Sequence, residues 1–203
     1  MNLPKSANIL NLGCGNSEFS EKLYDDGFIN NYNIDICPNV IKYMNERKQN
    51  RPGLVYETMD VRKLTYSDEM FDLVVDKSTI DALLCGEQSF MNVASMTKEI
   101  SRVLKTGGYY FIISYGKPEN RVFHLERDHL DFDINIYSIK KQEEDGDEDE
   151  QIHYGYMCKK LDNANKKLVN FDLVYKELER EEIEEEEEEE GDYDNESEEI
   201  KDD

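Results

Sequence analysis

ILNLGCGNSEFSEKL, residues 9 to 23, decides how the rest of the chain is read. An apolar run ends in two glycines one residue apart, and a segment with helical spacing follows from about Ser17, which can cap it. A strand that turns on glycine into a helix aims backbone N–H groups, and the positive end of a helix dipole, at whatever lies beside the turn. The third glycine of GxGxxG is absent and no GKS or GKT follows, so the dinucleotide and nucleoside-triphosphate fingerprints both fail. Glycine turns also end strands for purely structural reasons, so the turn needs support from elsewhere.

Outward from this turn the pattern repeats. Short apolar runs at 8–12, 31–36, 54–59, 71–76 and 109–114 alternate with helical stretches, as in a parallel sheet covered by helices. In the first helix Phe19, Leu23 and Tyr24 lie on one face, and Gly27 suits its exit. Pro38 opens a second helix containing Val40, Ile41 and Met44. A long helix is expected between Gln88 and Leu104, with Met91, Ala94, Met96, Ile100 and Val103 inward and TGG at 106–108 ending it. FDINIYSIKK, 132–141, and IHYGYMCKK, 152–160, alternate apolar and polar residues and read as an antiparallel hairpin with an acidic tip at 142–150. LVNFDLVYKEL, 168–178, reads as one amphipathic helix before a glutamate tract.

The charge is segregated. The net charge is −23, yet 177–203 holds 18 acidic against 2 basic side chains and 143–150 holds 7 acidic ones, so the remainder sums to zero. Residues 1–160 are thus expected to form one folded domain, and 161–203 an extension with a solvated, disordered glutamate-rich tail. A neutral body offers no basic surface for nucleic acid. The acidic appendages suit attraction of a basic partner.

Cys14, Cys37, Cys85 and Cys158 form no CxxC pair, which argues for free thiols rather than a zinc site or a disulfide scaffold. His124, His129 and His153 have no metal-ligand spacing, and packing or surface roles are expected of them. No run approaches the ~18 apolar residues of a membrane span, and the N-terminus does not read as a signal peptide. A soluble cytoplasmic protein is expected, with nuclear residence also compatible.

Carboxylates recur at the strand ends. Asp35 lies 20 residues beyond Gly15, where a carboxylate can accept from both hydroxyls of a ribose. Asp60, in ETMDVRKL, can accept from an exocyclic amine such as that of adenine, and the Val61 N–H can serve a ring nitrogen. In open α/β sheets ligands bind at this edge.

ILNLGCGNSEFS, ETMDVRKL, FDLVVDKSTIDALLCGE and ISRVLKTGGYYFI, taken in order, resemble the class I S-adenosylmethionine-dependent methyltransferases over residues 8 to 160. Within the class the resemblance is closest to the lysine methyltransferases of translation elongation factor 1-alpha, of the type known with endothelin-converting enzyme 2. It implies a seven-stranded Rossmann-like sheet, mostly parallel with a C-terminal antiparallel hairpin, and S-adenosyl-L-methionine as cofactor. By the same resemblance Gly13, with Cys14 and Gly15, approaches the methionyl part, Asp35 and Ile36 the ribose, and Asp60 and Val61 the adenine. Asp76 and Lys77 match the segment that lines the cofactor and faces the acceptor; read structurally, Asp76 is a helix cap and Lys77 an ion-pair partner of Asp81.

Two features differ from the family. Asn11 stands where many relatives carry an acidic residue near the cofactor's ammonium. The close family places a tryptophan- and tyrosine-rich segment before the first strand, whereas this chain has no tryptophan; 168–178 is the candidate replacement, a surface helix the plainer reading. DKST replaces the Asn/Asp-Pro-Pro-Tyr turn that grips planar amides, which favours a protein lysine over a nucleobase or glutamine. Tyr115 is an aromatic candidate on the acceptor side, or else only a loop-edge residue. Elongation factor 1-alpha is the most specific substrate the resemblance suggests; a small-molecule methyltransferase and a catalytically silent binding subunit remain as alternatives.

Overall fold

A computed structural model describes residues 2–127, 129–140 and 152–162, together with 176, 178, 180 and 183. The chain runs β1 (Asn8–Leu12), α1 (Phe19–Asp25), β2 (Asn30–Asp35), α2 (Pro38–Arg47), β3 (Leu54–Thr58), β4 (Phe71–Lys77), α3 (Thr79–Leu84), α4 (Ser89–Val103) and β5 (Leu104–Ser114). A 3₁₀ turn at Pro118–Asn120, α5 (Val122–Leu125), β6 (Phe132–Lys140) and β7 (Ile152–Lys160) follow.

The seven strands form one sheet in the order β3-β2-β1-β4-β5-β7-β6. The first five are mutually parallel, and β7 lies antiparallel between β5 and β6. This is the expected α/β sheet with its C-terminal hairpin. The order reverses at β1, so the chain leaves β1 for β2 on one side and returns to β4 on the other; in open α/β sheets ligands bind at the carboxyl ends beside such a reversal.

Strand alternation divides the core. Leu10, Leu12, Ile34, Val74, Tyr110 and Ile112 face α4, whose Val93, Met96, Ile100 and Val103 close the larger cluster. Ile9, Leu73 and Val75 point the other way, toward Leu23 of α1 and Phe28. Leu54 and Tyr56 of β3 pack with Ile41 and Met44 of α2. Each fully buried Leu, Ile or Phe contributes about 1.5–3 kcal/mol, so these layers hold the strand ends in place.

Three local expectations are corrected. β5 begins at Leu104, directly after α4, and contains Thr106–Gly108 as an irregular stretch where the register with β4 shifts between Phe71 and Leu73. Gly107, at φ 78°, lets the strand absorb the shift without ending. In α1 the buried residues are Ser20 and Glu21, while Phe19 is exposed, because the inner side of this helix meets polar groups of β1, β2 and α2. Ser17 does accept a hydrogen bond, from the Phe19 N–H at 3.2 Å, but the helix begins two residues later than Ser17.

The short helix α3 follows Asp76, where the sequence reading placed a helix cap, and α5 had no counterpart in it. The 168–178 helix, the acidic tip and the glutamate tail fall largely outside the described residues; Leu178 is described, helical and buried. Among the described residues no helix is long and apolar enough to cross a membrane.

Candidate cofactor site at the carboxyl edge of the sheet

The first turn has a fixed shape. Gly13 and Gly15 adopt φ of 52° and 53°, the left-handed region that side chains resist. A side chain at Gly13 would collide with the Thr79 hydroxyl, which donates to the Leu12 carbonyl at 3.0 Å. At Gly15 a Cβ would meet nothing within 4 Å, so this face of the turn borders open space.

Asp35 joins the turn to the end of β2. Its Oδ2 accepts the Gly15 N–H and its Oδ1 the Cys37 N–H, both at 2.9 Å. The Cys14 N–H donates to the Ile34 carbonyl at 2.9 Å and the Met59 N–H to the Asp35 carbonyl at 3.0 Å, stitching the ends of β1, β2 and β3 together. Each Asp35 oxygen retains a lone pair for a hydroxyl donor. The next side chain, Ile36, is 67% exposed, an apolar surface beside a polar cradle.

Asp60 follows β3. Its carboxylate binds the Arg62 guanidinium at 2.7–3.1 Å and the Arg62 N–H at 2.8 Å, and this partner lowers its pKa. A second donor to these oxygens must share them with Arg62. Val61 packs its side chain into the main core, while its backbone N–H donates to no described residue.

Asn11 sits one residue before Leu12 on the α1 side of the sheet. Its buried amide donates to the Ser20 hydroxyl and to Asn33 Oδ1, both at 3.3 Å, within a network that Ser20 closes by donating to Asn33. The amide thus braces the base of α1. Cys14 is also buried, and desolvation, with the Asp35 charge second, pushes its thiol up to about 12. A neutral thiol is neither nucleophile nor thiolate ligand.

Asp76 is fully enclosed at the end of β4. It accepts from the Thr79 N–H at 2.7 Å, the Ile80 N–H at 3.2 Å and the Tyr110 hydroxyl at 2.9 Å. Burial raises its pKa to about 6, against the lowering effect of these donors. The backbone reverses through Ser78 at φ 64°, which brings the first N–H groups of α3 over the carboxylate. Asp76 therefore holds Thr79, and through it the close contact with Gly13.

Lys77 is exposed at the end of β4. Its expected ion pair with Asp81 is not formed. Asp81 instead pairs with Arg121 at 2.9 Å, because the loop after β5 brings that guanidinium, with the Ser114 hydroxyl, onto the same carboxylate.

Sequence reasoning missed Arg47. From α2 its guanidinium donates to the Asn16 carbonyl at 2.9 Å, the Ser17 carbonyl at 3.1 Å and Glu21 Oε1 at 3.0 Å, clamping the segment between the glycine turn and α1. A lone arginine in a helix carries no motif, so only the fold reveals this role.

An adenosyl group fits this edge: a turn with open space beside Gly15, a carboxylate with spare lone pairs at Asp35, an uncovered apolar face at Ile36 and a spare N–H at Val61. A family model described as a methyltransferase domain matches residues 10–112. The eEF1A lysine and N-terminal methyltransferase of Mus musculus is 41% identical over 126 residues, covering 59% of this chain and 18% of its own length. EEF1A lysine methyltransferase 4 of Mus musculus is 37% identical over 134 residues, covering 62% of this chain and 52% of its own. The chain thus spans about half or less of these relatives. Among solved structures, N-methyltransferase NodS of Bradyrhizobium japonicum, in complex with S-adenosyl-L-homocysteine, aligns at a TM-score of 0.62 with 17% identity, covering 77% of this chain and 79% of that one. The chain belongs to the methyltransferase-domain family and has the class I, S-adenosylmethionine-dependent methyltransferase fold.

Proposed function

We propose that this methyltransferase modifies a lysine side chain of a protein, and that translation elongation factor 1-alpha, or a protein like it, is the substrate. The observation that carries the cofactor half of this reading is the Asp35 carboxylate, which shapes the glycine turn and keeps acceptor capacity for a ribose. The substrate half is supported by the two relatives named as methyltransferases of that factor.

In this reading Gly13, Cys14 and Gly15, braced from beneath by Asn11, flank the methionyl end of the cofactor. Asp35 and Ile36 hold the ribose, and Asp60 with Val61 the adenine. Asp76 acts through the α3 backbone that it holds, and Lys77 stands at the rim. Bound S-adenosylmethionine supplies an electrophilic methyl group.

The chain's own task is alignment and control of water. A lysine acceptor attacks only as the neutral amine, and desolvation at the carboxyl edge lowers its pKa. Asp81, at the same edge, is already bound to Arg121 and Ser114, so its role is structural support for the loop after β5.

Incubation of the purified protein with labelled S-adenosylmethionine and elongation factor 1-alpha, followed by peptide mass mapping, tests the proposal. Methyl increments on one lysine are expected. Cofactor binding by calorimetry without label in any protein of a cell lysate would reject the protein substrate in favour of a small molecule or a silent subunit.

A further inference from the structure

The backbone at residues 113–116 is held from several sides. The Ser78 N–H donates to the Ile113 carbonyl at 2.9 Å. The buried Ser114 hydroxyl donates to Asp81, the Tyr115 N–H donates to Asp81 Oδ2 at 3.3 Å, and the Gly116 N–H to Ser114 Oγ at 3.0 Å. The Tyr156 hydroxyl donates to the Gly116 carbonyl at 2.6 Å. Arg121 closes the cluster, reaching Asp81 Oδ1 at 2.9 Å and Ser114 Oγ at 3.0 Å. A side chain at Gly116 would overlap the Arg121 guanidinium, so the close approach requires glycine.

Against this fixed backbone Tyr115 is 56% exposed. It rests on the His153 ring of β7, with centroids 4.3 Å apart and planes at 46°. An aromatic face whose main chain is already ordered loses little further freedom when a ligand covers it.

The register places this ring beside the cofactor turn. Leu12, Asp76 and Ile112 are level on β1, β4 and β5. Gly13 is one residue beyond that level and Tyr115 three, with a single strand between β1 and β5, so the two are separated by about 10 Å across the sheet and about 7 Å along it, roughly 12 Å in all. A continuous path joins them: Gly13 abuts Thr79, Ser78 precedes it, and the Ser78 N–H holds Ile113.

We infer that Tyr115, backed by His153, is the acceptor-side platform of this enzyme, where an aromatic face receives the amino group to be methylated and the methylammonium it becomes. The inference rests on the amine acceptor proposed above and names the residue that meets it. Ring faces attract ammonium ions, most strongly where water is partly excluded. Of the cations near this edge, Arg121 is paired with Asp81, while Lys77, level with Ile113, and Lys117 are exposed.

The test uses the full chain with ¹³C-labelled tyrosine, the Tyr115 signal being assigned by its loss in Tyr115→Phe. Titration with Nε-trimethyllysine amide is expected to shift that signal saturably, and the neutral carbon isostere to shift it at least tenfold less. In methyl transfer to elongation factor 1-alpha, Tyr115→Ala is expected to raise KM about tenfold with unchanged affinity for S-adenosylmethionine, and Tyr115→Phe to restore it. An unresponsive ring, or equal losses with both substitutions, overturns the platform even where the wild type transfers methyl groups. A responsive ring in a protein that labels no protein supports the cation site and instead overturns the lysine substrate.

Discussion

The Asp35 carboxylate accepts the Gly15 N–H at 2.9 Å across 20 residues of chain, so the end of the second strand shapes the first turn. The same carboxylate fixes the entry to α2 through Cys37. Asp35→Ala is expected to weaken S-adenosylmethionine binding by roughly 1–3 kcal/mol, since charged acceptors are lost and two backbone donors are left without them. Calorimetry on a variant with a native circular dichroism spectrum measures this, and wild-type affinity would remove Asp35 from the site.

Gly13→Ala is expected to lower stability by about 1–3 kcal/mol, combining a left-handed backbone with the collision against Thr79. Pairing it with Thr79→Ala removes the hydroxyl from the collision but leaves the backbone term. The double variant is therefore expected to lose less than the sum of the two single losses, read from chemical denaturation curves. Additivity would show that the two residues are not in contact.

Arg47→Met is expected to cost about 1–3 kcal/mol of stability and to weaken cofactor binding several-fold. It frees the carbonyls of Asn16 and Ser17 and leaves Glu21, whose side chain is 11% exposed, without its cation. Adding Glu21→Gln is expected to recover part of the stability but not the affinity, because the loop clamp stays broken. Paired thermal melts and calorimetry separate the two effects.

Asp76 gives a pH dependence with a definite sign. Its folded pKa, about 6, lies above the 3.8 of the free side chain, so the folded protein holds the proton more tightly. The stabilisation from this proton is complete below about pH 4 and is lost as pH rises through 6. The difference in melting temperature between wild type and Asp76→Asn is expected to change across that window and to be flat above it. A flat difference throughout would contradict the raised pKa. Asp60 and Glu99, whose pKa values are lowered by Arg62 and Arg102, act in the opposite sense as pH falls, which is why the comparison is made against Asp76→Asn.

Most of the fold was legible because short apolar runs alternate with helical periods along the chain, and the seven strands followed from that alone. The boundary of β5 was not, because TGG is read locally as a helix stop, while the sheet tolerates Gly107 within a shifted register. α3 and α5, of six and four residues, are too short for a period to register. Of the candidate site, the glycines, Asp35 and Asp60 stood out as residue types at strand ends. The direction of a side chain is another matter: nothing in NILNL indicates that Asn11 turns toward Ser20, nor in DKSTID that Asp81 reaches Arg121 rather than Lys77. Such choices depend on partners 9 to 40 residues away.

The wedge of Thr79 against Gly13 has a further consequence for how such a sequence can diverge. With α3 seated on the first turn and tied by Ser78 to the neighbouring strand, sliding that helix would disturb both at once. Under the proposed function, new acceptor preferences are therefore most cheaply acquired at the exposed positions Lys117, Glu119, Asn120 and Phe123, with Gly116, Arg121 and the first turn kept. Drift should accumulate there first, and lineages that change targets should still keep a threonine-sized group facing the opening glycine.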